Sequence, residues 1–223
     1  MSQTKIVFLG AGAAGLGIAE LCVAQMMKEG ISREAAEANI FLLNSKGLIT
    51  KEKAVNLKPL AQRFAKDLPF TSSLLEVVKM VKPNALLGLS TISGAFSPEI
   101  LKEMAKINPR LSTISGAFSP EILKEMAKIN PRPIIFALSN PTIKAECTAE
   151  DAYHYTNGSV LFASGSPFDN VEMNGKLYKP GQGNNSYIFP GVALGAILFK
   201  ARKIPQEAFL IAARVRSVTY IQE

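Results

Sequence analysis

Short runs of consecutive apolar residues recur along the chain, and stretches with a helical spacing of apolar residues lie between them. Such runs are typical of parallel strands covered on both faces. The alternation of the two patterns predicts an α/β fold with a doubly wound, mostly parallel sheet. We predict strands at 6–9, 40–43, 85–89, 133–138 and 160–164, and helices at 16–28, 33–39, 71–80, 148–155, 190–201 and from 205 onwards.

Two further segments are predicted from their turn residues. Asn174-Gly175 lies between two short apolar-polar segments and indicates a tight β-hairpin. The polar segment 180–185 is rich in glycine, and we predict a loop there.

A glycine-rich turn follows the first predicted strand directly. Gly10, Gly12 and Gly15 have the spacing GxGxxG, and an amphipathic helix comes next. In such a turn the first glycine permits a tight bend, the second lets a pyrophosphate approach the backbone, and the third lets the helix pack close to the strand. The N-terminus of the helix offers N–H groups and a positive dipole to phosphates. This context predicts dinucleotide binding; the alternative is a glycine turn that binds no ligand.

The residue that selects the cofactor is predicted at the end of the second strand. The extra helix at 33–39 delays this strand, so the position that usually carries a ribose-binding acid is Asn44. An acid there would bind the ribose 2′-hydroxyl and repel a 2′-phosphate, whereas asparagine does not repel it. Lys46, Lys51 and Lys53 lie near by in the sequence, so NADP is tolerated as well as NAD.

One 22-residue segment occurs twice, because residues 89–110 recur without change as 111–132. Such an identical tandem copy indicates a recent duplication or an assembly artefact, since the copies of a solenoid diverge. Each copy contains a Ser-Pro-Glu helix start, Ser97-Pro98-Glu99 or Ser119-Pro120-Glu121. The residues before Leu111 are too short and polar for another core strand. We therefore expect the two copies to compete for one helix position on the sheet.

Composition narrows the function classes. The chain has 223 residues, of which 48% are hydrophobic, and a net charge of +7 that is spread along the chain without runs of like charge. A sizeable core is expected, and nucleic-acid binding is not. Cys22 and Cys147 are far apart, which favours structural thiols in a reducing compartment. No targeting segment or long apolar run is present, so we expect a cytoplasmic or mitochondrial-matrix protein without membrane contact.

Few side chains suggest catalysis on their own. His154 is the single histidine and is interpreted as structural, and Glu146, Glu150 and Asp151 are interpreted as a solvated helix face. No metal-ligand spacing or nucleophile motif is present. Asn140 and the pair Asn184-Asn185 follow predicted strand or loop ends, where amides either orient a carboxylate or carboxamide or only form turns.

Several long motifs resemble one known family. GAGAAGLGIA, NSKGLI, FALSNPT, AECTAEDAY, FASGSPF and PGQGNN with YIFPGVALG occur in this order, and together they are similar to the cofactor domain of malic enzymes. The resemblance covers nearly the whole chain except the second repeat copy. It implies that residues 1–223 form a Rossmann-like NAD(P)-binding domain. It also implies oxidative decarboxylation of malate to pyruvate and CO2 with Mg or Mn in the complete enzyme, which is expected to be a homo-oligomer.

The resemblance assigns roles to individual residues. The substrate carboxylates would contact Asn140, Asn184 and Asn185. The dinucleotide would be lined by the glycine turn, by the end of the second strand and by the end of the strand at 85–89; these residues are Gly10, Gly12, Ala13, Ala14, Gly15, Asn44, Ser45, Leu89 and Ser90.

This chain departs from the family in three ways. The family usually has aspartate at the position of Asn44, which leaves the choice between NAD and NADP open. The family's second cofactor-selecting position falls near Ala61, which favours neither cofactor. The catalytic tyrosine, the catalytic lysine and the three acidic metal ligands of the family lie upstream of the glycine turn. We therefore expect this chain to be a fragment that is inactive alone, and the alternative is a non-catalytic dinucleotide-binding module or sensor.

Overall fold

The computed structural model describes residues 1–89, 96–107, 112–114, 118–139 and 142–221. In this part of the chain, eight strands form one sheet and two form a separate hairpin. The strands are Ile6–Leu9 (β1), Ile40–Asn44 (β2), Gly47–Leu48 (β3), Ala85–Gly88 (β4), Ser112–Ile114 (β5), Ile134–Ala137 (β6), Leu161–Ser164 (β7), Val171–Met173 (β8), Lys176–Tyr178 (β9) and Gly181–Gln182 (β10).

Three of the helices in the described part of the chain begin at an N-cap side chain. Ser32, Ser73 and Thr148 each accept a hydrogen bond from the backbone N–H three residues later. The helices are Ala13–Lys28 (α1), Arg33–Ala38 (α2), Pro59–Gln62 (α3), Leu74–Val81 (α4), Pro98–Ile107 (α5), Pro120–Ile129 (α6), Ala149–Tyr155 (α7), Phe189–Leu198 (α8) and Gln206–Ile221 (α9). No helix within the described ranges is long and apolar enough to cross a membrane.

The sheet is wound in both directions from β1. Its order is β10-β7-β6-β5-β4-β1-β2-β3, and all neighbours are parallel except β2 and β3. The chain moves from β1 to β2 on one side and then returns to β4 on the other. This change of direction confirms the predicted doubly wound sheet, and it leaves a crevice at the carboxyl ends of β1 and β4.

Helices cover both faces of the sheet. One core cluster contains buried residues of α4, α5, α6 and α7, and the other contains buried residues of α1 and α2. The strands supply both clusters, since Val7 faces the first and Phe8 the second, and both side chains are fully buried. This arrangement explains the unbroken apolar run of β1, because each face of the strand is covered.

The repeat does not behave as the sequence predicted. Both copies are docked: Leu101 in α5 and Leu123 in α6 are both 0% exposed. The second helix position exists because Ser112–Ile114, from the start of the second copy, forms β5 between β4 and β6. The expectation of one contested position was wrong because it considered only the residues before Leu111 as a source of another strand.

The hairpin forms as predicted, whereas the glycine-rich segment after it differs from the prediction. The predicted hairpin is confirmed, with positive φ angles of 53° at Asn174 and 70° at Gly175. Gly181, which we predicted to lie in a loop, instead forms β10 with Gln182 and pairs with β7. Here a Cβ atom at position 181 would lie 3.2 Å from the carbonyl oxygen of Phe162. Glycine therefore permits this close approach of the two strands.

Candidate functional site

The glycine turn lies at the crevice between β1 and β4. Gly10 has a φ of +126°, which side-chain-bearing residues rarely adopt, and its N–H donates to the carbonyl oxygen of Leu43 at 2.9 Å. A Cβ atom on Gly15 would lie 2.0 Å from the carbonyl oxygen of Gly10. Both glycines are thus required by the turn itself, whatever it binds.

Gly12 differs from its two neighbours, because a Cβ atom added there meets nothing within 4 Å. The fold does not need glycine at this position, yet the open space beside it is where a pyrophosphate would approach the backbone. Gly12 is also the N-cap of α1, and no side chain caps this end of the helix. A phosphate group would take the place of the missing cap.

The first turn of α1 is suited to an anion. Ala13 and Ala14 are exposed, and the first turn contains no acidic residue. The N–H of Leu16 donates to the carbonyl oxygen of Gly12 at 3.0 Å, so the helical hydrogen bonds begin at this residue and the N–H groups before it face the N-terminal end. The helix dipole adds a positive partial charge at the same end. This arrangement fits the phosphates of a dinucleotide.

The predicted neighbours of the turn lie on the adjacent strands. Leu89 extends β4, because its N–H donates to the carbonyl oxygen of Leu9 at 2.7 Å, and it is partly buried beside Gly15. Ser90 lies outside the described residues. The topology therefore brings the end of β4 to the glycine turn, as the resemblance implied for Leu89.

The end of β2 carries the predicted ribose contacts. Asn44 accepts a hydrogen bond on its Oδ1 from the N–H of Lys46 at 2.8 Å, which closes the turn into β3, and Ser45 is exposed. The Nδ2 group of Asn44 can still donate to a hydroxyl or a phosphate. Of the three lysines noted above, Lys51 pairs with Asp67 and Lys53 with Glu52, whereas Lys46 is exposed at the turn itself.

Asn184 and Asn185 lie at the same edge of the sheet, just past the end of β10. Asn184 and Asn185 are exposed and line a cavity of about 1050 Å³ together with Leu138, which follows β6. The Oδ1 atom of Asn184 accepts from the N–H of Ser186 at 2.9 Å. Its amide N–H groups remain suitable for a carboxylate. Asn140 lies outside the described residues.

Sequence reasoning missed two side chains in this region. Glu146 does not lie on a solvated helix face as we predicted, because it accepts hydrogen bonds from the hydroxyl and the N–H of Ser139 at 2.8 and 3.1 Å. It thereby holds the segment that follows β6. Arg216 in α9 lines the cavity beside the asparagines and lies 4.9 Å from the ring centroid of Tyr187. The short Ser139–Glu146 separation was a usable signal, whereas only the folded chain brings α9 to the cavity.

The remaining candidates do not form a catalytic centre. His154 is exposed and contacts the ring of Tyr155. Burial raises the pKa of the Cys22 thiol to about 11, and burial with the nearby carboxylates of Asp151 and Glu146 raises that of Cys147 to about 12. These thiols are poor nucleophiles at neutral pH. In the described part of the chain, no three His, Cys, Asp or Glu side chains are grouped so as to hold a metal ion.

Comparisons with known proteins agree with this geometry. The family model described as "Malic enzyme, NAD binding domain" matches residues 1–112 and 110–221. The chain belongs to the malic enzyme family. The two matched stretches meet at the boundary between the repeat copies.

The relatives include enzymes named for either cofactor. The chain is 52% identical over 214 residues to the mitochondrial NAD-dependent malic enzyme of Ascaris suum, and the match covers 96% of this chain and 30% of that protein. It is 48% identical to the NADP-dependent malic enzyme of Anas platyrhynchos, covering 96% and 35%. It is 46% identical to the mitochondrial NADP-dependent malic enzyme of Homo sapiens, covering 96% and 32%. The chain thus spans about a third of the length of these curated relatives.

Proposed function

We propose that residues 1–223 are the domain through which a malic enzyme binds NAD or NADP, with the pyrophosphate on the turn from Gly10 to Gly15. The observation that carries this proposal is the contrast between Gly15, where a Cβ atom would clash, and Gly12, where it meets open space. The uncapped N-terminus of α1 supports it. In the complete protein, the reaction is the oxidative decarboxylation of malate to pyruvate and CO2.

Each group of residues has a task in this proposal. Backbone N–H groups at Gly12, Ala13 and Ala14 hold the pyrophosphate, and Leu89 with Ser90 lines the dinucleotide. Asn44 and Ser45 contact the adenosine ribose, and neither side chain carries a charge that would repel a 2′-phosphate. Both cofactors are therefore accepted. The bound cofactor supplies a hydride acceptor.

The substrate side consists of uncharged donors. Asn140, Asn184 and Asn185 orient the carboxylates of malate, and amides do so without changing the net charge of the site. Mg or Mn would need acidic ligands, and the described residues do not form such a group. We therefore assign no metal-dependent step to the described residues. From the family resemblance, we infer that the complete enzyme is a homo-oligomer and that it lies in the cytosol or the mitochondrial matrix.

The experiment that tests this proposal is a titration of reduced cofactor. NADH and NADPH fluorescence is followed as the wild-type chain, Gly12→Val and Gly17→Val are added. Gly17 is the matched control, because it lies in α1 and a Cβ atom there also meets nothing within 4 Å. The valine side chain in Gly12→Val would fill the space beside the turn and keep the pyrophosphate away from the backbone N–H groups. Loss of two charge-assisted hydrogen bonds in this way should weaken binding by about 100-fold or more. Gly17→Val should bind like the wild type.

The outcome that would refute the assignment is equal binding by the wild type and Gly12→Val. Thermal melting of both variants shows that a loss of binding does not come from unfolding. A Cβ atom at either position has no atom from another part of the chain within 4 Å, so both variants should melt close to the wild type.

A second function is compatible with the absence of a metal-holding group among the described residues. On this alternative the chain acts as a non-catalytic dinucleotide-binding module or sensor. The purified chain is incubated with malate, Mn and NAD or NADP, and cofactor reduction is measured. Both functions predict no reduction by this chain alone, because general acid–base groups and a metal typically contribute about 100-fold or more each. Turnover that appears when the upstream part of a malic enzyme is added would show that the chain is an enzyme part and would exclude the sensor.

A further inference from the structure

The second repeat copy adds a complete strand–helix unit to the middle of the sheet. β5 is hydrogen-bonded to β4 on one side and to β6 on the other, with Leu87 opposite Ile114 and Ile114 opposite Phe136. The added helix α6 packs in the same core cluster as α5 and α7. The unit is therefore not a surface insertion, because its removal would open the sheet between β4 and β6.

The inserted strand lies between the two halves of the candidate site. The glycine turn follows β1, whereas Asn184 and Asn185 follow β10, which lies on the far side of β6 in the sheet order. Neighbouring strands are about 4.8 Å apart, and each is rotated by about 20° relative to the next. With β5 present, β6 is three strand positions from β1. Without it, β6 would be two positions away, so the insertion displaces the asparagine side by about 5 Å and about 20°.

A displacement of this size is large compared with the tolerance of a reaction. Reacting atoms must approach to about 3–3.5 Å, and an error of about 1 Å can cost about 100-fold in rate. The strands on either side of β5 are held in register by backbone hydrogen bonds, so a shift of side chains cannot recover a full strand spacing.

We propose that the second copy acts as a spacer, which keeps the dinucleotide site intact and moves the substrate-binding asparagines out of reach of the bound nicotinamide. This inference rests on the proposed function for the identity of the two halves. The chain is then a form that binds the dinucleotide without coupling it to substrate. Deleting the second copy brings the halves together.

The repeat allows a deletion that creates no new junction in the sequence. Residues 107–110 and 129–132 are both Ile-Asn-Pro-Arg, so deletion of 111–132 joins Arg110 to Pro133 through the same residues that precede Pro133 now. Every junction in the shortened chain is one that already occurs. Any change in the sheet therefore comes from the loss of one unit.

The first experiment needs no variant. Because 98–107 and 120–129 have the same sequence, peptic fragments of both copies have the same mass. Hydrogen exchange of this fragment reports on both helices at once. Two docked copies predict one slowly exchanging population, since Leu101 and Leu123 are equally buried. Two populations of equal size, one exchanging fast, would show that one copy is undocked and would overturn the proposal.

The second experiment measures the displacement. Glu52 follows β3, and Glu172 lies in the β8–β9 hairpin that follows β7; both residues are exposed, and neither belongs to the candidate site. β3 and β7 lie on opposite sides of β5 in the sheet order. Spin labels at Glu52→Cys and Glu172→Cys, in a background with Cys22→Ala and Cys147→Ala, give a distance by pulsed electron spin resonance. We expect the distance to shorten by about 5 Å in the deletion variant. An unchanged distance would overturn the proposal.

Titration of the full chain and of the deletion variant with NADH tests the proposed function separately from the spacer. Equal NADH binding with a shortened distance supports both the proposed function and the spacer. A shortened distance without NADH binding by either chain refutes the proposed function and with it the assignment of the two halves, while the strand insertion itself stands. If the deletion variant does not fold, the exchange experiment on the full chain still decides whether both copies are docked.

Discussion

Leu101 and Leu123 occupy equivalent positions in two identical helices, and both are 0% exposed. Replacing a fully buried leucine with alanine typically costs about 2 to 5 kcal/mol, because transfer free energy is lost and a cavity remains. If both helices are docked, Leu101→Ala and Leu123→Ala should each lower the free energy of unfolding by this amount. For a chain of this size, that corresponds to a fall in Tm of roughly 4 to 20 °C.

The double variant gives the sharper result. The sum of the two losses is about 4 to 10 kcal/mol, which is comparable to the whole stability of a typical domain. Because both leucines lie in one core cluster, the measured loss can depart from this sum by about 0.5–3 kcal/mol. Chemical denaturation of the four proteins, followed by circular dichroism, measures each loss. Lys102→Ala and Lys124→Ala are the controls, because both lysines are exposed on the same helices. Lys102→Ala should change stability by about 0.5 kcal/mol or less. Lys124→Ala should cost up to about 1 kcal/mol, because Nζ of Lys124 lies 5.0 Å from the ring centroid of Tyr155.

Two outcomes would contradict the docking of both helices. If one single variant is as stable as the wild type, the helix that carries it is not docked. If both single variants are as stable as the wild type and only the double variant unfolds, the copies compete for one position and β5 does not form a second one.

Three further predictions concern single positions. Gly15→Ala should lower Tm because its Cβ atom would lie 2.0 Å from the carbonyl oxygen of Gly10, whereas Gly17→Ala should raise stability by about 0.5–1 kcal/mol; equal melting of the two would contradict this. Burial lowers the pKa of Lys66 from 10.5 to about 8, which disfavours its charged form in the folded protein. The free energy of unfolding should therefore gain up to about 3 kcal/mol as the pH rises from about 8 to 10.5, measured by urea denaturation, and Lys66→Met should not show this gain. Asn44→Asp should weaken NADPH binding relative to NADH in fluorescence titrations, and an unchanged ratio would show that this side chain does not face the 2′-position.

Local sequence patterns were sufficient to predict the strands that are buried on both faces and the helices that begin at an N-cap side chain. β1 and the glycine turn could be predicted because the apolar run and the three glycines that determine them lie within one short segment of the sequence. Ser73 and Thr148 likewise marked helix starts through hydrogen bonds to the third residue. Such interactions need no information about the rest of the fold.

Features that depend on tertiary pairing could not be predicted in this way. Ser112–Ile114 is short and half polar, and it is a strand because β4 and β6 pair with it on both sides. Gly181 is a poor strand former, yet it pairs with Ala163 because the two backbones approach closely. Within the candidate site, the glycine turn is local, whereas the position of Arg216 beside the asparagines depends on how α9 packs.

The central claim is that the backbone of the glycine turn holds the pyrophosphate of a dinucleotide. The most direct measurement is an amide nitrogen–proton correlation spectrum of the isotope-labelled chain during titration with NAD, with pyrophosphate alone as a second ligand. The account predicts that the amide signals of Gly10, Gly12, Ala13, Ala14 and Gly15 shift most with both ligands, because their N–H groups form or surround the anion site. Shifts confined to other parts of the chain, or no shifts at saturating NAD, would contradict it.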